Sequence, residues 1–275
     1  MEISAADVMK LRKVTGAGMM DCKTALADAE GDFNRAIDII REKGKLVASK
    51  RADRAATEGV VLAKVNASGK TGAMIVLNCE TDFVAKNEAF VAFAGKILDA
   101  AIASNAANLD AVKAIVIDGR TVENLVIEQT GVIGEKLDLP YYIKLDAETV
   151  VAYIHPGNKL STVVGFNKAG VDTQVAKDIA MQVAAMNPVA VDKDFVPAEV
   201  IEKELEIAKE KFRQEGKPEA MLDKISQGAL VKFFKESTLL NQAFIKENKQ
   251  TVQEFLKSVD KDLTVTAFSR YNLTD

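Results

Sequence analysis

The chain has 275 residues, 48% of them hydrophobic and 28% charged, with a formal net charge of −4. That length and apolar content support a sizeable core and two domains, or one domain with appendages. The mildly acidic balance excludes a protein built to coat nucleic acid, which needs clustered excess Lys and Arg, and no run of about eighteen apolar residues is present to span a membrane.

The N-terminus, Met1-Glu2-Ile3-Ser4, has neither the basic-then-apolar pattern of a secretory signal nor an Arg-rich transit pattern, so a cytoplasmic chain is expected. Two cysteines far apart, Cys22 and Cys79, predict reduced thiols, and with His155 as the single histidine a Cys/His zinc site is not expected. Ser4 is placed to cap a helix from about Ala5 to Val14, with Asp7 completing the cap. Thr15-Gly16-Ala17-Gly18 breaks it. A second helix is predicted from Met19 to Glu30, closed by Gly31, and a third from Asp32, with Phe33, Ala36, Ile37 and Ile40 inward and Gly44 ending it. A phosphate-loop reading before Lys23-Thr24 fails on spacing, because the required glycine positions hold Ala17 and Cys22.

Arg41 to Arg54 carries six basic residues, Arg41, Lys43, Lys45, Lys50, Arg51 and Arg54, against Glu42 and Asp53. A solvated, partly helical linker is the favoured reading. An RNA contact is the alternative, without the aromatic interleaving that base stacking needs. Gly59–Val65 and Thr71–Leu77 then read as two strands joined by a hairpin loop at Asn66–Lys70. The apolar run Ala73-Met74-Ile75-Val76-Leu77 leads into Asn78-Cys79-Glu80-Thr81-Asp82-Phe83-Val84-Ala85-Lys86, and a helix follows over Glu88–Ala103. Thr81 to Val84 therefore occupy a strand-to-helix turn. Local pattern favours Phe83 in the core beside a solvated Asp82, and a projecting Phe83 is the alternative.

A helix over Thr121–Gly134 and a strand over Pro140–Leu145 come next. Thr149–Ile154 and Ser161–Phe166 flank Pro156-Gly157-Asn158 as a second hairpin, and a helix over Asp172–Met186 follows, with Val175, Ile179, Val183 and Met186 on one face. The repeated order of strand, hairpin, strand and helix predicts a duplicated core with antiparallel sheets. After a loop between Pro188 and Pro197, Ile201, Leu205, Ala208 and Phe212 form one helical stripe. Leu222, Ile225, Ala229 and Phe233 form another, with a turn at Gly216-Lys217-Pro218. The alternating end, Leu263–Tyr271, predicts a strand returning to the second sheet.

The expected class is thus α+β. The expected parts are a three-helix unit over 1–44, a basic linker over 45–57, core halves over 58–146 and over 147–198 with 236–275, and a protruding antiparallel helical hairpin over 199–235. No nucleophile elbow, H-E-x-x-H or EF-hand spacing occurs, and nothing singles out a carboxylate pair, which shifts the weight from enzyme to interaction protein. No cofactor is called for.

Two stretches resemble one family. Leu11-Arg12-Lys13-Val14-Thr15-Gly16-Ala17-Gly18-Met19-Met20-Asp21-Cys22-Lys23, with Ala25-Leu26, looks like the N-terminal motif of elongation factor Ts, and Asn78–Lys86 looks like that family's core motif. The order of the remaining parts is similar from about residue 2 to 272. The resemblance implies a guanine-nucleotide exchange factor for elongation factor Tu, with a ubiquitin-associated-like N-terminal unit docking on the GTPase domain. Arg12, Met19 and Met20 match contact positions there. Thr81, Asp82, Phe83 and Val84 match the turn that enters near the partner's magnesium, with Asp82 and Phe83 as the intruding pair, so the resemblance favours a projecting Phe83. His155 matches a contact residue in the second core half. The family implies no membrane and no direct nucleic acid, and the helical hairpin is a candidate element for a homodimer. Four departures stand out: Val76 replaces a usual glutamate, Thr24 a longer polar residue, Pro156 a glycine, and the additional C-terminal helix of some members is not expected.

Overall fold

The computed structural model describes residues 3–275. Three helices come first, α1 (Ala5–Thr15), α2 (Met19–Asp28) and α3 (Phe33–Lys50). Ser4 caps α1 as the sequence predicts: its Oγ accepts from Asp7 N at 3.1 Å and donates to the Asp7 carboxylate at 2.6 Å. Asp32 caps α3 through Arg35 N. Leu11, Cys22, Leu26 and Ala36 fill the small core of this unit.

Gly44 does not end the third helix. It lies inside α3, where the chain crosses α7 (Val122–Ile133), and a Cβ on Gly131 would stand 2.2 Å from Gly44 Cα. Glycine in a helix costs about 0.5–1 kcal/mol relative to alanine, and here it is Gly131, whose Cβ would meet Gly44 Cα, that permits backbone contact between the two helices. The helical part of the basic stretch therefore extends to Lys50, and Arg51 begins the turn that follows.

The first sheet contains β1 (Glu58–Val65), β2 (Thr71–Cys79) and β5 (Asp138–Asp146), in the order β1-β2-β5. Between β2 and β5 come α4 (Asp82–Ala85), α5 (Glu88–Ala103), α6 (Leu109–Ala114), the short strands β3 (Val116–Ile117) and β4 (Arg120–Thr121), and α7. The second sheet contains β6 (Thr149–Ile154), β7 (Leu160–Phe166) and β10 (Val265–Asn272), in the order β10-β7-β6. In both sheets the third strand joins the second strand of the hairpin, and all strand pairings are antiparallel. The class is α+β.

The sheets pack face to face through Val61, Met74, Val76, Leu145, Val150 and Val163. On its other face β2 packs Ile75 and Leu77 against α5. This is why the run 73–77 is apolar without alternation: both faces are buried. Val76 lies in the dry layer between the sheets, where an unpaired carboxylate would be costly. Gly72 lets the layers meet, because a Cβ there would stand 2.6 Å from Val150 Cγ1.

Behind the second sheet lie α8 (Thr173–Met186) and α11 (Val252–Val259), with Ile179, Val183, Leu239 and Leu256 at the centre. Met186 departs from the predicted inward stripe: it is exposed at the end of α8, beside left-handed Asn187. The helical hairpin is formed by α9 (Ala198–Gln214) and α10 (Glu219–Ser237). Its most buried positions are Ala208, Leu222, Ser226 and Leu230, while the predicted Ala229 and Phe233 are half-buried beside them. Ser226 escapes an apolar-pattern reading because it is polar. The minor elements α6, β3, β4, β8 (Ala243–Phe244), β9 (Glu247–Thr251) and α11 are too short or too polar to stand out in the sequence, yet α11 has a full capping box between Thr251 and Glu254.

Candidate functional site

β2 ends at buried Cys79, whose Sγ donates to Thr81 O at 3.2 Å. Burial, helped by the nearby Glu135 carboxylate, pushes that thiol up to about 12 and keeps it neutral. Thr81 then caps α4, its Oγ1 accepting from Val84 N at 3.4 Å. In a single helical turn only one side can face the core. Ala85 is buried and Val84 packs partly against the first core, which turns Asp82 and Phe83 outward. Phe83 is 83% exposed. The core placement favoured by local pattern is therefore overturned, and the physical reason is the phase of that one turn. Asp82 Oδ2 pairs with Lys86 Nζ at 2.6 Å, which lowers the Asp82 pKa and keeps it ionised.

The loop between β6 and β7 lies beside this turn. Its Gly157 and Asn158 take left-handed conformations, and Asn158 O accepts from Val61 N of β1 at 2.7 Å. Lys159 Nζ pairs with Glu58 Oε2 at 2.8 Å. Asp82, Ala85, Lys86 and Val91 on one side, and Pro156 to Lys159 on the other, line a cleft of about 330 Å³. His155 stands exposed at the base of the same loop, its Nδ1 at 2.9 Å from Tyr153 Oη. Of the sequence candidates, Asp82 lines this cleft and faces the loop that follows His155; Thr81, Phe83, Val84 and His155 do not line it.

Arg12, Met19 and Met20 lie on the three-helix unit, all exposed, with Met20 at 71%. Met9 and Val14 are exposed on the same unit.

The supports of the turn were not visible in the sequence. Glu135, just after the left-handed Gly134 that ends α7, accepts from Glu80 N at 3.1 Å and Thr81 N at 3.0 Å through Oε2. Its Oε1 accepts from Thr81 Oγ1 at 2.6 Å. Glu80 reaches the opposite way, accepting from Lys136 N at 2.6 Å, Arg51 Nη1 at 2.7 Å and Arg54 Nη1 at 3.2 Å. The Lys136 amide, then the two guanidinium groups, hold the Glu80 carboxyl down at about 2. Lys136 Nζ donates in return to Ala52 O and Arg54 O. The basic stretch is more tied to the rest of the chain than expected: Arg41, Lys43, Arg51 and Arg54 all form ion pairs, although Lys43 and Arg54 stay exposed. The one available signal was Gly-Glu-Lys after a predicted helix, and it does not specify a partner.

A family model described as Elongation factor TS matches residues 80–275, beginning at the residue just before this turn. An Elongation factor Ts of Amoebophilus asiaticus is 52% identical over 272 residues, covering 98% of both chains. Those of Christiangramia forsetii and Azobacteroides pseudotrichonymphae are 51% and 49% identical, each covering 99% of both chains. The chain belongs to the elongation factor Ts family. Its role is guanine-nucleotide exchange on elongation factor Tu in translation elongation. Among the described residues no helix is long and apolar enough to cross a membrane.

Proposed function

We propose that the chain releases GDP from elongation factor Tu by docking over a broad surface and pressing the Thr81–Val84 turn against the partner's magnesium and phosphate site. The observation that carries this reading is Phe83, a large apolar residue held in solvent on a turn whose entry is anchored at Thr81. Coupling between two ligands of one protein is reciprocal, so a factor that weakens nucleotide binding is itself weakened by nucleotide, and it binds the nucleotide-free partner best. Moving Mg²⁺ from the phosphates removes a large local charge that holds GDP. No covalent bond changes in this process, so the chain needs no nucleophile, cofactor or metal of its own.

The energetics divide the work. Acceleration on the order of 10⁵-fold needs roughly 7 kcal/mol of barrier lowering. Burying one Phe side chain supplies only about 1.5–3 kcal/mol. The remainder falls to an interface on the order of 1,600 Å², shared by the N-terminal unit with Arg12, Met19 and Met20 and by both core halves with His155. In this reading the three-helix unit docks, the segment after α3 connects, 58–146 present the turn, and 147–198 with 236–275 present the His155 loop. The hairpin over 199–235, with Ile207, Met221 and Val231 exposed, serves self-association. Ion pairing of Arg51 and Arg54 within the chain supports a protein partner over RNA.

Release of labelled GDP from purified elongation factor Tu, with and without the chain, tests the reading. Concentration-dependent acceleration is expected, and an unchanged release rate refutes it. Steeply salt-dependent RNA binding with no effect on the GTPase would favour the RNA alternative.

A further inference from the structure

α4 has four residues, too few to be stable as an isolated helix, because helix nucleation is unfavourable. The direction of Phe83 must therefore be imposed from outside the turn. The entry to the turn is held by two carboxylates that reach past each other between the 79–81 and 135–136 segments. Glu135 accepts three hydrogen bonds from Glu80 N, Thr81 N and Thr81 Oγ1, so both its oxygens are engaged at the first residue of the motif's turn. Glu80 binds Lys136 N and the guanidinium groups of Arg51 and Arg54.

The sources of these groups matter. Arg51 is the C-cap of α3, and Gly134-Glu135-Lys136 follows the last residue of α7. Those two helices are in backbone contact at Gly44 and Gly131. Both lead from that crossing to the clasp, so the base of the turn is tied to the crossed pair rather than to the motif alone. Glu135 forms no ion pair among the described residues, and its hydrogen-bonding capacity is directed at the turn.

We propose that Glu135 is a positioning residue for nucleotide exchange: by binding Glu80 N, Thr81 N and Thr81 Oγ1 it sets the angle at which Asp82 and Phe83 leave the core. Glu80 is its counterpart, fixing the 135–136 segment to the end of α3. Neither residue needs to touch the partner. The proposal rests on the reading of the Thr81–Val84 turn as the intruding element. It differs from a purely structural role in what it predicts kinetically, because a mispositioned turn slows release from the docked complex while docking itself persists.

The test uses the full-length chain with Glu135→Gln, which keeps side-chain size but leaves one acceptor oxygen in place of the two that now take Glu80 N, Thr81 N and Thr81 Oγ1. Stopped-flow release of labelled GDP from elongation factor Tu is followed over a range of factor concentrations. The maximal rate should fall by on the order of tenfold to a hundredfold, the usual penalty for misplacing a working group by about 1 Å. The half-saturating concentration should stay within about twofold, as expected when only an interaction used in the transition state is lost. Thr81→Val removes the hydroxyl side of the same contact. Its effect should shrink in the Glu135→Gln background to what the lost cap on Val84 N contributes, since mutations within one contact are not additive. Hydrogen exchange should speed up at the amides of residues 80–84 while the amides of β1 keep their protection. If Glu135→Gln does not fold, Thr81→Val alone carries the same kinetic expectation.

A maximal rate within about twofold of the original for Glu135→Gln, or a loss confined to the half-saturating concentration, overturns the proposal. Phe83→Ala is measured in parallel to separate the two levels. If Phe83→Ala slows release and Glu135→Gln does not, only the positioning role falls. If neither variant slows release, the turn has no role and both readings fall.

Discussion

Phe83→Ala separates a projecting ring from a core ring with one substitution. Phe83 is 83% exposed, so its truncation removes few contacts from the free chain, and surface changes of this kind stay within about ±0.5 kcal/mol of stability. Against the partner the ring has most of its surface still to bury. Full burial of a Phe side chain stabilises by about 1.5–3 kcal/mol, which corresponds to roughly a 10- to 150-fold change in rate. Total acceleration on the order of 10⁵-fold would leave Phe83→Ala at least hundreds of times faster than spontaneous release. The assay is stopped-flow release of labelled GDP at saturating factor, where docking no longer limits the rate, paired with urea unfolding of the free chain. A wild-type release rate in the combined Asp82→Ala, Phe83→Ala variant would refute the intruding turn. A loss of more than about 1 kcal/mol of unfolding free energy in Phe83→Ala would refute the exposed placement itself.

The helix crossing yields an asymmetric prediction. Gly131→Ala forces a Cβ to 2.2 Å from Gly44 Cα and should destabilise by about 1–3 kcal/mol, whereas Gly44→Ala meets nothing closer than 3.5 Å and should be neutral or mildly stabilising in urea titrations. Glu80 makes acid stability informative. Its folded pKa is about 2 against an ordinary 4.5, so the folded chain binds fewer protons in that interval and the contribution of Glu80 is full above 4.5 and lost as pH falls towards 2. Unfolding free energy should therefore drop more steeply between those values in the parent chain than in Glu80→Gln, and parallel curves would count against the clasp. Arg12→Ala combined with Met19→Ala should raise the factor concentration for half-maximal exchange while leaving the maximal rate in place, because these exposed residues are assigned to docking.

What the sequence reveals, and what it hides, follows the range of each interaction. The caps at Ser4 and Asp32 are legible because a cap is written within about four residues. The double burial of β2 is legible from its unbroken apolar run, although the sheet that covers its second face cannot be named from that run. Gly44 is misread because a glycine in a helical pattern signals a terminus locally, while the close crossing at this point of α3 depends on Gly131, far along the chain. The cations at Arg51 and Arg54 are plain to see, but their role depends on Glu80 and changes a solvated linker into an anchor. Phe83 is the hardest case. Its motif identifies the turn, while the phase of one helical turn, set by Val84 and Ala85 facing inward, determines that the ring points out. The carboxylate that fixes this arrangement lies 54 residues from Thr81. A four-residue helix cannot hold an aromatic ring in water at a fixed angle without such a tie. The rigidity of the intruding turn is therefore a property of the α3–α7 pair and the segment after it, and the motif by itself supplies only the residues to be aimed.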